Sequence, residues 1–169
     1  DPTLRQLNHR VFTRTEGVPS DIDALAQTPD GTLWIGGRSG LVRFDGISFR
    51  LFNHATVASF PASPVLGLSA DAEGNLWIRL QTPGLLRYRE GNFHEVFPNE
   101  TQDTRVTAMG PGNAGDVLFA RPGDPVRLSR GKLVHIAPGV EHTKRLAISI
   151  AETSDGTVWI GTRDAGLFS

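Results

Sequence analysis

The sequence contains no cysteine, and its 169 residues carry no excess of either charge sign. Without cysteine there is no disulfide framework, no thiolate metal site and no cysteine nucleophile. Seventeen Lys and Arg side chains against 18 Asp and Glu side chains give a formal net charge of −1. Because surfaces that bind nucleic acids or membranes usually show a basic excess, we expect neither kind of partner.

Long hydrophobic runs are also missing. No stretch approaches the ~18 apolar residues that a membrane span requires, and no charged-then-apolar leader opens the chain. We therefore expect no membrane contact by this segment, which is either a cytosolic protein or a soluble piece of a larger one. Its length suits one domain with a substantial core.

What the sequence does contain is a pattern repeated four times. The copies begin at Thr28, Asp71, Asn113 and Ser154 and include TPDGTLWIGG, DAEGNLWIRL, NAGDVLFARP and SDGTVWIGTR. Their aromatic anchors are Trp34, Trp77, Phe119 and Trp159, which are 43, 42 and 40 residues apart. A period in this range, with a glycine turn and an aromatic residue on a strand, predicts a β-propeller.

One copy contains the strands of one blade. Thr28-Pro29-Asp30-Gly31 is a turn, and Thr32 to Gly36 is almost continuously apolar, as in a strand that is buried on both faces. The alternating segment from Gly40 and the segment after the Asp45-Gly46 turn predict two further strands. We therefore predict an all-β fold of four-stranded antiparallel blades, with the three tryptophans buried between neighbouring blades.

The copies divide the chain into a single β-propeller fragment of four blades. The predicted segments are a lead-in at 1–20, blade 1 at 21–56, blade 2 at 65–98, blade 3 at 105–137 and blade 4 at 146–169. Blade 4 lacks an outer strand, whereas His9 to Thr13 matches the outer-strand pattern of Ser48 to Phe52. We expect the lead-in to supply the outer strand of a closing blade, either within one chain or in a second chain. We favour a dimer, and a ring larger than four blades.

Loops of variable length join each outer strand to the next blade at Asn53–Pro64, Pro98–Thr104 and Ala137–Lys144. Such loops on one face usually determine what a propeller binds. The opposite face carries the short Asp-Gly turns, and we expect no selective pocket there.

The lead-in and first copy, RVFTRTEGVPSDIDALAQTPDGTLWIGGRSGLVRFDGISF, resemble the two-component regulator propeller, as do the second and fourth copies. The resemblance covers essentially the whole chain, and the third copy departs from the pattern. It implies a periplasmic sensor module of bacterial hybrid histidine kinases and related signalling proteins. Family members carry a membrane span and a kinase or cyclic-nucleotide output domain downstream, and this chain contains neither.

No arrangement of residues predicts catalysis, a cofactor or a metal. The five histidines do not fall at equivalent blade positions, and the Asp-Gly turns lack the alternating ligands of a calcium loop. We therefore expect a non-catalytic module that binds a ligand or a protein. Two alternatives stay open: an enzyme like the streptogramin lyases, for which His142 is the one good candidate, and a purely structural assembly module.

Four arginines follow the aromatic anchors by two or four residues: Arg38, Arg79, Arg121 and Arg163. This spacing predicts that each lies in the turn between the second and third strands, on the same face as the variable loops. Guanidinium groups gathered there would favour an anionic ligand. The alternative is that each arginine pairs with a nearby carboxylate such as Asp21, Asp124 or Asp164, or points into water.

Overall fold

The protein is represented by a computed structural model that describes residues 10–19, 21–82, 84–96, 105–122, 125–136 and 146–169. Its strands form four antiparallel sheets, one for each sequence copy, and we call these sheets blades 1 to 4. Blade 1 consists of β1 (Ile22–Gln27), β2 (Leu33–Gly37), β3 (Gly40–Phe44) and β4 (Phe49–Phe52), paired in that order.

The other blades repeat this order. Blade 2 consists of β5 (Val65–Ala70), β6 (Leu76–Leu80), β7 (Leu85–Arg89) and β8 (Asn92–Glu95). Blade 3 consists of β9 (Ala108–Pro111), β10 (Val117–Ala120), β11 (Val126–Ser129) and β12 (Lys132–His135). Blade 4 consists of β13 (Ala147–Glu152), β14 (Val158–Thr162) and β15 (Leu167–Phe168).

The blades follow one another around an arc. The first strand of each blade is the innermost, and β1 packs beside β5, β5 beside β9, and β9 beside β13. The predicted all-β propeller of antiparallel blades is therefore confirmed. Helical structure in the described residues is limited to 3-10 turns at Arg14–Glu16 and Asn113–Gly115, and no helix there could span a membrane.

The turn that opens the second strand of blades 1, 2 and 4 is built from side-chain hydrogen bonds. In blade 1 the Thr28 hydroxyl donates to Asp30 Oδ1 at 2.6 Å, and the Thr32 amide donates to the same oxygen at 3.1 Å. These bonds to the ionised form lower the pKa of Asp30. The buried indole of Trp34 then donates to the Thr28 hydroxyl at 3.1 Å, so the turn also fixes the tryptophan.

The glycine of this turn fixes the register of the repeat. Gly31, Gly74, Gly115 and Gly156 all have φ between +81° and +88°. This left-handed conformation is easily reached by glycine alone. Counting three residues from each glycine gives Trp34, Trp77, Leu118 and Trp159 as equivalent positions.

The structure therefore corrects the anchor of the third copy. Leu118 pairs with Arg127 as Trp34 pairs with Arg43 and Trp77 with Arg87. Phe119 lies one residue further along β10, and its side chain therefore emerges on the opposite face of the sheet. From that face it meets Trp77 edge-on, with the ring centroids 5.5 Å apart.

The predicted burial holds for two of the three tryptophans. Trp34 and Trp77 are 3% and 4% exposed, because the next blade covers each of them. The prediction is wrong for Trp159, which is 37% exposed. Trp159 lies on the outward face of the last blade, where no described residue takes the place of a following blade.

The lead-in packs on blade 1 without forming a strand at residues 10–13. Phe12 meets Phe44 and Phe49 edge-on, at centroid distances of 5.1 and 5.3 Å. Phe52 of blade 1 makes the corresponding contacts with Tyr88 and Phe93 of blade 2, at 6.0 and 5.6 Å. Phe12 thus stands where the outer-strand aromatic of a preceding blade would stand. His9 lies outside the described residues.

Candidate functional site

A cavity of about 480 Å³ opens where blades 2, 3 and 4 meet. Its wall is formed by the starts of β5, β9 and β13 and by the turns that follow β6 and β14. Three arginines contribute to this wall, and we call the site the arginine cavity: Arg79, Arg105 and Arg163. Because the inner-strand entries and the second-to-third-strand turns lie side by side here, they share one face of the propeller.

Arg79 is half-buried in the cavity wall. It lies in β6, and its Nη2 donates to the carbonyl oxygen of Leu66 at 3.1 Å. Its Nε is buried and has no hydrogen-bond partner among the described residues. A buried donor without a partner carries a cost that a bound acceptor would remove.

The residue opposite Arg79 makes room for its side chain. Gly67 pairs with Arg79 across β5 and β6, and a Cβ placed on Gly67 would lie 3.2 Å from Arg79 Nε. The absence of a side chain at Gly67 therefore allows the guanidinium to lie against the backbone of the inner strand.

The charge on Arg79 is poorly compensated. Burial lowers the pKa of Arg79, and the neighbouring positive charge of Arg105 lowers it further. The described residues include no salt bridge from Arg79 to a carboxylate. Two cations held close together on one cavity wall create a positive potential that attracts an anion.

Arg163 reaches the cavity from blade 4. It follows β14, its side chain is exposed, and its backbone N–H donates to the carbonyl oxygen of Leu146 at 3.1 Å. This bond ties the turn after β14 to the entry of β13, which forms the adjacent wall.

The structure brings together two of the four arginines predicted from the sequence, Arg79 and Arg163. Arg79 lies within β6 rather than in the predicted turn, and Arg121 directly follows β10. Arg38 lines a separate cavity of about 340 Å³, between the turn after β2 and the loop that contains Phe60. Whether these arginines bind a ligand stays a prediction.

Sequence reasoning missed Arg105, because arginines were counted from the aromatic anchors, whereas Arg105 precedes the inner strand β9 by three residues. The position of Arg105 just before an inner strand could have identified it, because the start of every inner strand lies on the face that carries the variable loops. Of the three variable loops predicted to shape that face, Asn53–Pro64 is described. Pro98–Thr104 and Ala137–Lys144, which includes His142, lie outside the described residues.

No group of three metal-ligating side chains occurs among the described residues. The Asp-Gly turns instead use their carboxylates within the turn itself. Asp155 Oδ1 accepts from the Thr153 hydroxyl at 2.6 Å and from the Thr157 amide at 3.0 Å, and these bonds lower the pKa of Asp155. The Asp45 carboxylate accepts from the amides of Ile47 and Ser48.

A family model for the two component regulator propeller matches residues 145–164, which overlap the fourth sequence copy. The resemblance to this propeller is thereby confirmed. No curated protein matches the sequence.

Solved structures share the fold at low sequence identity. An extracellular domain described as part of a one component system of B. thetaiotaomicron is 20% identical, with a TM-score of 0.67 over 97% of this chain and 23% of that one. The extracellular domain of a protein described as a hybrid two component system, from the same organism, is 17% identical, with a TM-score of 0.68 over 95% of this chain and 23% of that one. The chain thus spans about a quarter of the length of these relatives.

An enzyme with this fold is also similar. A virginiamycin B lyase from Staphylococcus aureus is 17% identical, with a TM-score of 0.61 over 83% of this chain and 48% of that one. At this identity the likeness extends to the propeller fold alone.

Proposed function

We propose that the chain is the sensory propeller of a bacterial two-component or related signalling protein, exposed in the periplasm and without catalytic activity of its own. The observation that carries the proposal is the regulator-propeller repeat at residues 145–164 on a confirmed propeller fold. The extracellular domains with the same fold support the placement outside the cytoplasm.

We propose further that the arginine cavity is where this module binds its ligand, and that the ligand is anionic. Arg79 offers a buried Nε with no partner among the described residues, and Arg105 adds a second charge beside it. Charge-assisted hydrogen bonds from such groups are the strong ones. A carboxylate, sulfate or phosphate group would supply the missing acceptor.

Isothermal titration with sulfate, phosphate and succinate tests the binding step. We expect at least one of them to bind the wild type, and Arg79→Gln to weaken that binding at least tenfold, which corresponds to about 1.4 kcal/mol for a lost charged hydrogen bond. Arg14→Gln, an exposed arginine of the lead-in, is the matched control and keeps wild-type affinity. Equal affinity in wild type and Arg79→Gln would remove the site.

The signalling role is tested separately, in cells that carry a reporter gene controlled by the signalling protein with this propeller. We expect Arg79→Gln combined with Arg163→Gln to abolish the response while the propeller remains folded. The lyase alternative predicts instead that the protein opens a streptogramin B ring and that His142→Ala stops it. Turnover of that kind would overturn the non-catalytic proposal.

A further inference from the structure

A second cavity, of about 440 Å³, lies between blades 2 and 3 on the face opposite the arginine cavity. It begins at the Asp71–Asn75 turn before β6 and extends to the β11–β12 turn at Arg130 and Gly131. A cavity is therefore present on the face where the sequence predicted no selective pocket. We call this site the interblade cavity.

Comparison of equivalent positions in the repeat explains why the interblade cavity exists. At the contact between blades 1 and 2, the space is filled by Phe52 from one side and by Tyr88 and Phe93 from the other. The strand registers place Val96, Leu128 and Leu133 at the same three positions between blades 2 and 3. Three aromatic rings are thus replaced by smaller aliphatic side chains, and all three line the cavity.

The tryptophan that packs between blades 1 and 2 has an equivalent between blades 2 and 3. Trp77 lines the cavity together with Phe119, so one apolar wall carries aromatic rings. Leu133 is 44% exposed and Arg130 is exposed, which leaves the cavity reachable from solvent. A volume of this size falls within the range of about 300–1,000 Å³ that is usual for small-molecule sites.

One arginine that lines the cavity lacks the ion pairs that the equivalent arginine of blade 3 forms. In blade 3, Arg127 forms ion pairs with Glu152 of blade 4 at 2.6 Å and with Asp116 at 3.4 Å. Arg87 is the equivalent arginine of blade 2, since it pairs with Trp77 as Arg127 pairs with Leu118.

Neither carboxylate is kept at the equivalent positions beside Arg87, although Asp71 and Glu73 also line the cavity. Asn75 stands at the position of Asp116, and Pro111 stands at the position of Glu152. Arg87 Nε is buried without a hydrogen-bond partner among the described residues. Arg87 therefore presents a desolvated donor to the cavity that no carboxylate of the described chain satisfies.

A buried acceptor lies in the same wall. Asn75 is 6% exposed, and its Oδ1 has no partner among the described residues. The nearby carboxylate of Asp71 is already occupied, because it accepts from Asn75 Nδ2 at 2.7 Å and from the Trp77 indole at 2.9 Å. Asp71 therefore holds the wall in place, while Asn75 Oδ1 can accept from a ligand.

We propose that the interblade cavity binds a small carboxylic acid with an aromatic or similarly compact apolar body. The carboxylate of the ligand bonds to Arg87. It takes the place of the two carboxylates that form ion pairs with Arg127 at the contact between blades 3 and 4. The apolar body fills the space that Phe52, Tyr88 and Phe93 fill in the first contact, and it packs against Trp77. A donor group on the body, such as a hydroxyl, bonds to Asn75 Oδ1.

Nuclear magnetic resonance with ¹⁵N-labelled protein tests this site through the three tryptophan indole signals. We expect 4-hydroxyphenylacetate to shift the Trp77 indole signal in a saturable way. The Trp34 signal should stay unchanged, because Trp34 lies at the contact between blades 1 and 2. Two compounds serve as controls: acetate lacks the aromatic ring, and 4-hydroxybenzyl alcohol lacks the carboxylate. Each should bind at least tenfold more weakly than 4-hydroxyphenylacetate, since it loses one of the two interactions.

Variants copied from the protein's own repeat serve as controls that keep the fold. Val96→Phe with Leu128→Tyr refills the cavity with the residues of the first contact and should abolish the shift. Pro111→Glu restores the carboxylate that Glu152 provides in the next contact, and it should weaken binding at least tenfold, whereas Pro111→Gln should not. Arg14→Gln, in the lead-in, should leave binding unchanged.

Three results would overturn the proposal: no saturable Trp77 shift at high millimolar 4-hydroxyphenylacetate, equal binding of the uncharged alcohol, or unchanged binding by the refilled variant. None of these results bears on the arginine cavity, because that site is read out by Arg79→Gln and inorganic anions.

Discussion

The tryptophans show how one residue type contributes differently according to the blade that follows it. Trp34 packs against Phe52 and Tyr88, and Trp77 against Phe119. Each buried indole also donates a hydrogen bond, to Thr28 or to Asp71. Trp159 occupies the equivalent position in β14 but is 37% exposed. Its contribution to stability is therefore limited by this exposure rather than by its own strand.

We predict that Trp77→Ala lowers the free energy of unfolding by about 3–5 kcal/mol, because the substitution empties a packed contact between two blades. Trp159→Ala is the matched control and should cost less than about 2 kcal/mol, since over a third of its surface already faces solvent. Urea unfolding followed by circular dichroism measures both values. Equal losses would contradict the assignment of Trp77 to a contact between blades.

A single glycine should govern the geometry of the arginine cavity. In Gly67→Ala the new methyl group would meet Arg79 Nε at 3.2 Å, closer than side chains normally approach. We expect the guanidinium to shift and anion affinity to fall several-fold, with little change in the unfolding midpoint. Titration of Gly67→Ala beside the wild type checks this, and unchanged affinity would show that Arg79 does not position the anion.

At the scale of strands and turns, an ion pair joins blades 3 and 4. The side chain of Glu152 is 2% exposed and accepts from Arg127 Nη2 at 2.6 Å and from the Asn113 amide at 2.7 Å. Burial raises the pKa of Glu152, but the bonds from Asn113 and Arg127 outweigh it and lower the pKa overall. The ion pair also raises the pKa of Arg127.

This shift predicts a pH dependence. Because the pKa of Glu152 is lower in the folded state, its stabilising contribution is complete above the unfolded pKa and is lost as the pH falls through the folded pKa. Glu152→Gln should lower stability at neutral pH by about 3 kcal/mol and should flatten the loss of stability on acidification. Glu95→Gln controls for removal of one exposed carboxylate. Parallel pH profiles for wild type and Glu152→Gln would contradict the prediction.

The sequence predicted the blades wherever a glycine turn is followed by tryptophan, because both features are fixed by local backbone geometry and by contact area. It misplaced the third copy by one residue, since aligning the aromatic residues puts Phe119 where the structure has Leu118. The positive φ of Gly115 is the better guide, as it lies close to that of the other three turn glycines.

The two cavities were less predictable for different reasons. Arg105 precedes an inner strand rather than following an aromatic anchor, and its nearness to Arg79 depends on how blades 2, 3 and 4 pack together. The interblade cavity was visible in principle, because Leu128 and Leu133 replace Tyr88 and Phe93 once the copies are aligned on their glycines. That alignment alone does not show which side chains meet across neighbouring blades.

At the scale of the whole molecule, both ends of the arc expose apolar side chains. Leu25 of β1 is 59% exposed, and Trp159 and Leu167 of blade 4 are 37% and 64% exposed. Blade 4 has three strands, so β15 has an open edge among the described residues. Such an edge favours pairing with a further strand.

We expect two copies to associate, with the lead-in of one copy lying beside β15 of the other. Phe12 would then meet Trp159 as Phe52 meets Trp34, and it would keep its contacts with Phe44 and Phe49. Light scattering should show a dimer, and Trp159→Arg should give a monomer that is equally folded. A wild-type protein that stays monomeric at high concentration would contradict this arrangement.

The most direct measurement of the proposed sensory role is a crystal structure of the protein with selenate, whose anomalous signal locates the anion without ambiguity. We predict a selenate in the arginine cavity, within hydrogen-bond distance of Arg79 Nε and of a second guanidinium from Arg105 or Arg163. An arginine cavity that stays empty at saturating selenate, or one whose arginines are paired with carboxylates of the protein, would contradict the proposal.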